Sequence, residues 1–145
     1  MKAATPLIDA DERRFLHSDL TKDIIRVFYD VYNELGYGFL ESVYEEGMCL
    51  ALRAEGFEGD RQIPIPVWFR GERIGDFKAD LLVNKSVIVE LKAARAIEPA
   101  HESQLLNYLR ATPIEIGLIL NFGPQPQIRR LAFSNERKKI SVNQR

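Results

Sequence analysis

With 145 residues, 46% of them hydrophobic and 28% charged, the chain has the size and make-up of one globular domain with a real core. A net charge of −1 and a pI near 6.1 carry no basic signature of nucleic-acid binding, although a cluster of acidic ligands would hide local basic surface in that sum. The lone Cys49 excludes an internal disulfide, and two histidines with one cysteine are too few for a Cys/His zinc cluster.

No apolar stretch approaches the ~18 residues that span a bilayer, and residues 1–10 lack a basic segment followed by an apolar run. With the single cysteine suited to a reducing compartment, the expectation is a cytoplasmic protein with no membrane partner.

Residues 1–17, with Pro6 and the run Asp11-Glu12-Arg13-Arg14, read as a flexible N-terminal arm. Ser18 or Thr21 can cap a first helix, with Asp19 and Asp23 suited to its first turn. Ile24, Ile25, Val27, Phe28, Val31, Tyr32 and Leu35 keep helical spacing until Gly36-Tyr37-Gly38 breaks it. A second helix is predicted over 39–55. Leu40, Val43, Gly47, Leu50 and Ala54 mark one apolar stripe on it, and Glu41, Tyr44, Glu45 and Met48 the adjacent one. Gly47 inside a helix costs ~1 kcal/mol relative to alanine, which a close approach of helix to sheet would explain. Gly56 ends the helix.

A strand follows over 61–69. Pro64 and Pro66 lie between Ile63, Ile65, Val67 and Phe69 and make it an edge strand. Residues 75–93 read as two strands around a turn at Asn84-Lys85-Ser86, with apolar runs Leu81-Leu82-Val83 and Val87-Ile88-Val89. Pro99 opens a third helix, which Pro113 stops. Residues 114–122 form a nearly all-apolar strand buried on both faces, and 128–134 a last strand before a polar tail over 135–145. The domain proper spans 18–134. The order helix, helix, three strands, helix, two strands is an α/β sheet with helices packed against it.

Within the central hairpin, polar residues interrupt the apolar runs at Asp80, Glu90 and Lys92. Glu90 and Lys92 are two apart and share a strand face, and antiparallel pairing brings Asp80 close to Glu90. Lys78 and Asp76 alternate with Asp80 on one face, where Lys78 can offset the acids. Buried charge is costly unless paired or bound to metal, and a metal site uses both acids. Phosphodiester hydrolysis needs a positioned water, neutralised phosphate charge and help for the leaving oxygen. Carboxylate-held Mg2+ (or Mn2+ as substitute) and a neighbouring lysine meet those needs.

The chain also resembles a known family. Gly38-Phe39-Leu40-Glu41-Ser42-Val43-Tyr44 fits G-x-x-E-x-x-Y. Downstream come Ala79-Asp80-Leu81-Leu82-Val83, Val89-Glu90-Leu91-Lys92-Ala93, a segment from His101 to Arg110, and Asn121-Phe122-Gly123. Across about 19–133 it looks like a GxxExxY protein, a branch of the PD-(D/E)XK nuclease superfamily. The resemblance implies a restriction-endonuclease-like core, a mixed central sheet of about five strands flanked by helices. It implies that Asp80 and Glu90 are metal ligands and Lys92 the catalytic lysine. It also matches Gln104 and Tyr108 to the Q-x-x-x-Y element of RecB-like nucleases. Relatives often place a histidine from an early helix near the metal. Here that place falls to Glu41, read as the third ligand.

Duller roles stand beside these. Asp80 and Glu90 can cap strand ends or pair with Lys92 as a buried ion pair, Glu41 can serve its own helix terminus, Tyr44 and Tyr108 can be core, and Gln104 can be solvated. His101 reads as a first-turn polar residue, and Arg110, Arg129, Arg130 and 137–139 as surface charge, with phosphate contact as the alternative. The leading expectation is a Mg2+-dependent nuclease or nuclease-like phosphodiesterase with a DNA or RNA substrate, for which a homodimer is one open arrangement. The rival is a non-catalytic nucleic-acid-binding or regulatory module that keeps the fold.

Overall fold

The computed structural model describes residues 10–138, with side chains described from Asp19 onward. In chain order the elements are α1 (Ala10–Leu35), α2 (Glu41–Ala54), β1 (Gly59–Phe69), β2 (Glu72–Val83), β3 (Val87–Lys92), α3 (Pro99–Arg110), β4 (Ile116–Phe122) and β5 (Pro126–Ala132). A 3-10 turn, Asn135–Arg137, follows. The strands lie in the order β1-β2-β3-β4-β5. Only β3 and β4 run parallel, joined through α3, so the sheet is mixed as expected. β1 with its two prolines is indeed an edge, and every residue of β4 is buried.

One face of the sheet packs on α1 and α2 through Ile24, Phe28, Met48, Leu81, Val89 and Leu118. The other packs on α3 through Ile65, Ala79, Ile88, Leu105 and Ile119. Ala79 and Leu81 are two apart, yet Ala79 belongs to the α3 side and Leu81 to the α1–α2 side. Regular strand alternation would put both on one face. The phase of β2 therefore changes at Asp80. The partner strand breaks at the same level, because Gln62 has φ 52, the left-handed region, between Arg61↔Leu81 and Ile63↔Ala79. The single face expected for Asp76, Lys78 and Asp80 does not continue across this break.

Three further expectations need correction. Helix α1 begins at Ala10, not at Ser18 or Thr21, because 10–35 contains neither proline nor glycine and is rich in good helix formers. Of the expected arm, residues 1–9 lie outside the described residues, as do 139–145 of the expected tail. Helix α2 buries Tyr44, Glu45, Met48, Cys49 and Leu52, and leaves Leu40 and Leu50 exposed. The rotation follows from Tyr44, whose ring stacks on Phe122 of the sheet with centroids 4.0 Å apart. Gly47 consequently faces Leu35 and Val31, so it serves the contact between α1 and α2 and not one with the sheet.

Candidate active site

The central hairpin turns through Asn84 (φ 50) and Lys85 (φ 54), with the Ser86 N–H donating to the Val83 carbonyl at 2.9 Å. Two left-handed residues in succession match the twist of the strands they join. From the turn the β2–β3 ladder pairs Val83↔Val87, Leu82↔Ile88 and Leu81↔Val89, then stops. Beyond it β2 continues beside β1 as far as Glu72, while β3 continues beside β4 to Lys92↔Asn121. The two strands splay, and side chains replace the missing ladder. The Asp80 N–H donates to Glu90 Oε2 at 2.9 Å, and the Leu91 N–H donates to Asp80 Oδ2 at 2.8 Å. The convergence of Asp80 and Glu90 inferred from the hairpin is present, and its cause is this divergence of strands.

Glu90 is only 4% exposed. Burial, and after it the Asp80 carboxylate, push its carboxyl up to about 8. Burial also raises Asp80, against the pull of the Leu91 N–H; Glu45 and Glu41 add to the rise and Lys92 opposes it. Two acids in one notch resist joint ionisation, which favours the protonated form of Glu90. The backbone bonds use one oxygen of each carboxylate. Such a pair of oxygen donors, destabilised as anions, fits a hard divalent cation of the Mg2+ type. Among the described residues, no three His, Cys, Asp or Glu side chains form a group that could hold a metal ion.

Lys92 closes β3 and is half-buried; its Nζ donates to Gln104 Oε1 at 3.3 Å. Gln104 and Tyr108 lie one turn apart on α3. The Tyr108 hydroxyl is raised by burial, then by Glu90 and Asp80, which puts it within the field of the notch. The start of α3 is fixed by the Glu98 N–H donating to His101 Nδ1 at 3.0 Å, so His101 has the helix-opening role expected of it.

Glu41 opens α2 and is exposed. Its Oε2 accepts the Ala93 N–H at 3.3 Å, one residue beyond Lys92, and its charge reaches both Asp80 and Glu90. It thus stands at the rim of the notch, bonded to backbone and not grouped with the two acids as an enclosing third ligand. Tyr44 is core. Its hydroxyl donates to the Gly36 carbonyl at 2.7 Å and accepts the Phe39 N–H at 3.2 Å, which ties the turn before α2 to the helix. Gly38 within that turn has φ 111, which favours glycine. Gly38, Glu41 and Tyr44 therefore work as one unit that fixes the entry of α2 beside Ala93.

Sequence reasoning assigned no role to Glu45, one turn after Glu41. It is nearly buried, and it accepts from Arg61 Nε at 2.8 Å and Gln62 Nε2 at 2.8 Å. Gln62 is the left-handed residue across from Asp80, so Glu45 holds the break in β1 that accompanies the phase change in β2. The available signal was the i,i+4 pairing of Glu41 with Glu45 on a stripe shared with Tyr44 and Met48.

The loop after Lys92 is clamped by Asn121, which is fully buried. Asn121 Oδ1 accepts the Ala94 N–H at 2.9 Å and its Nδ2 donates to the Ala94 carbonyl at 3.0 Å. Gly123 packs against the same carbonyl, and a Cβ there would lie 2.4 Å from the Ala94 oxygen. The Tyr32 hydroxyl donates to the Gly123 carbonyl at 2.6 Å. The Asn121-Phe122-Gly123 block is thereby the anchor for the segment that follows the lysine.

Residues 18–131 match the family model of the PD-(D/E)XK nuclease superfamily. A crystal structure described as that of SSO0001 superposes with a TM-score of 0.50 at 19% identity, over 64% of this chain and 50% of that one. The chain thus spans about half the length of SSO0001, and the likeness is one of fold. No curated protein matches. Among the described residues no helix is long and apolar enough to cross a membrane.

Proposed function

Because this chain belongs to the PD-(D/E)XK nuclease superfamily, we propose that it is a Mg2+-dependent nuclease of the GxxExxY branch, hydrolysing phosphodiester bonds of DNA or RNA. The observation that carries this reading is the notch between β2 and β3. Two carboxyls there replace backbone pairing, and a lysine lies two residues along the same strand. Asp80 and Glu90 hold the cation, with Glu41 available from the rim. The cation supplies Lewis-acid polarisation of the phosphate when bound. The protein's own groups do the rest. Lys92 places positive charge where negative charge develops on the phosphate, and the Gln104 side chain orients its ammonium. The unit of Gly38, Glu41 and Tyr44 supports assignment to the GxxExxY branch, since each residue serves the same corner of the site.

The decisive experiment is incubation of end-labelled single- and double-stranded oligonucleotides with the protein, in Mg2+ or Mn2+ and in EDTA. Shortened products that require the cation are expected. Retention of intact strands that bind the protein would favour a module that binds without cleaving.

The role of Glu41 has its own test. Glu41→Gln is expected to weaken Mn2+ binding severalfold, read by calorimetric titration, while the metal-free melting temperature barely changes. A side chain that only serves its own helix terminus would contribute a few tenths of a kcal/mol to stability and nothing to cation affinity. Unchanged affinity would remove Glu41 from the ligand set.

A further inference from the structure

The β1–β2 hairpin outruns the rest of the sheet. Its ladder continues to Phe69↔Glu72, whereas β2 leaves β3 after Leu81↔Val89. The projecting arm carries Phe69, Ile74 and Phe77, which are 52%, 63% and 50% exposed. Between this arm and α3 lies a cavity of about 700 Å³, lined by Val67 and Phe77 from the arm and by Ser103, Gln104, Asn107 and Tyr108 from the helix. Among the described residues, no charged side chain lines it. The half-exposed Phe77 ring packs against the buried Tyr108 ring with centroids 6.0 Å apart at 43°.

Gln104 joins the cavity to the notch. It lines the cavity and accepts the hydrogen bond from Lys92 Nζ, so a phosphate at Lys92 would have its sugar and base at the cavity mouth. The lining suits a nucleobase: the exposed face of Phe77, backed by Tyr108, for stacking, two carboxamides and the Ser103 hydroxyl for its polar edge, and no carboxylate among the described lining residues to repel the adjoining phosphate. A base inside a duplex cannot enter without leaving its stack and its partner, which costs a few kcal/mol per base, whereas a single strand presents its bases freely. We propose that this cavity receives one unstacked nucleobase beside the phosphate held at Lys92, and that the substrate is accordingly single-stranded nucleic acid. The inference rests on the nuclease reading for the placement of the phosphate, and on the arm for the base.

The test is fluorescence anisotropy of a labelled twelve-nucleotide oligothymidylate and of a duplex of equal length, in Ca2+, with wild type, Phe77→Ala, Phe77→Leu and Phe77→Trp. Wild type binds the single strand more tightly than the duplex. Phe77→Ala weakens single-strand binding about five- to a hundred-fold, the range found on removing one base–aromatic stack, and leaves duplex binding unchanged. Phe77→Leu retains apolar bulk and still loses affinity, while Phe77→Trp restores it. Equal binding of the two substrates by wild type overturns the proposal, as does single-strand binding that Phe77→Ala leaves intact, or loss in Phe77→Ala that Phe77→Leu fully repairs. Cleavage of the same oligonucleotide in Mg2+ separates the two readings. Cleavage without any Phe77 effect on binding leaves the nuclease standing and removes the cavity. A Phe77-dependent preference without cleavage does the reverse.

Discussion

Replacing Lys92 with alanine is expected to lower the rate of cation-dependent cleavage about 10²–10³-fold at saturating substrate, the loss typical of removing one group that meets developing charge. The fold should survive. Lys92 is half-buried at the end of β3, and the hydrogen bond it makes is to the exposed Gln104. The β3–β4 pairing that seats it runs through backbone at Lys92↔Asn121, which alanine keeps. The measurement is a single-turnover time course on the best oligonucleotide substrate, with thermal melts of both proteins alongside. A fall in rate with unchanged melting places the lysine in transition-state stabilisation, since an interaction made only there lowers kcat without altering substrate binding. Equal rates for the two proteins would mean that another group carries the charge or that a contaminant cleaves.

The second large effect is a pH dependence of the metal-free protein. Glu90 has an ordinary pKa of 4.5 and is pushed up to about 8 in the fold, so folded protein holds a proton there that unfolded chain releases. The stability tied to this proton is fully present below about pH 4.5 and is lost as pH rises through about 8. A displacement of that size corresponds to on the order of 5 kcal/mol. Urea unfolding in EDTA should therefore show wild type losing more stability than Glu90→Gln between pH 5.5 and 8.5. The glutamine keeps an acceptor for the Asp80 N–H and has no proton to lose. Mn2+ should oppose the loss, most strongly at the alkaline end where both acids are ionised and ready to bind. Parallel pH profiles for wild type and Glu90→Gln would show that burial does not hold the proton on Glu90.

The central hairpin was legible because β-branched runs, a turn tripeptide and misplaced charges all pointed the same way. The edge position of β1 followed from Pro64 and Pro66, and the burial of β4 from its unbroken apolar run. The face that α2 turns to the sheet was not legible. Its stripe of Leu40, Val43 and Leu50 is the more apolar one, and what decides the rotation is a ring stack between Tyr44 and Phe122, far apart in sequence. The phase change at Asp80 escaped for a related reason. Strand alternation predicts a face only while φ stays regular, and the break at Gln62 is held by Glu45 from another element. The capping residues Ser18 and Thr21 do not start α1, because no helix breaker separates them from Ala10. For the site, residue types marked Asp80, Glu90 and Lys92, but no pattern shows that Glu41 spends its carboxylate on the Ala93 N–H.

The splayed end of the hairpin has a consequence for slow motions. Where a ladder would hold β2 to β3, two carboxylates hold it, through the amide protons of Asp80 and Leu91. On the proposed reading these same carboxylates bind the cation. Local opening of the strands and release of the cation are then linked equilibria, and a bound ion suppresses the opened state in proportion to its occupancy. Solvent hydrogen exchange at those two amides becomes a residue-level gauge of site occupancy that needs no substrate and no turnover, with protection rising on addition of cation while amides deep in β4 stay as they were.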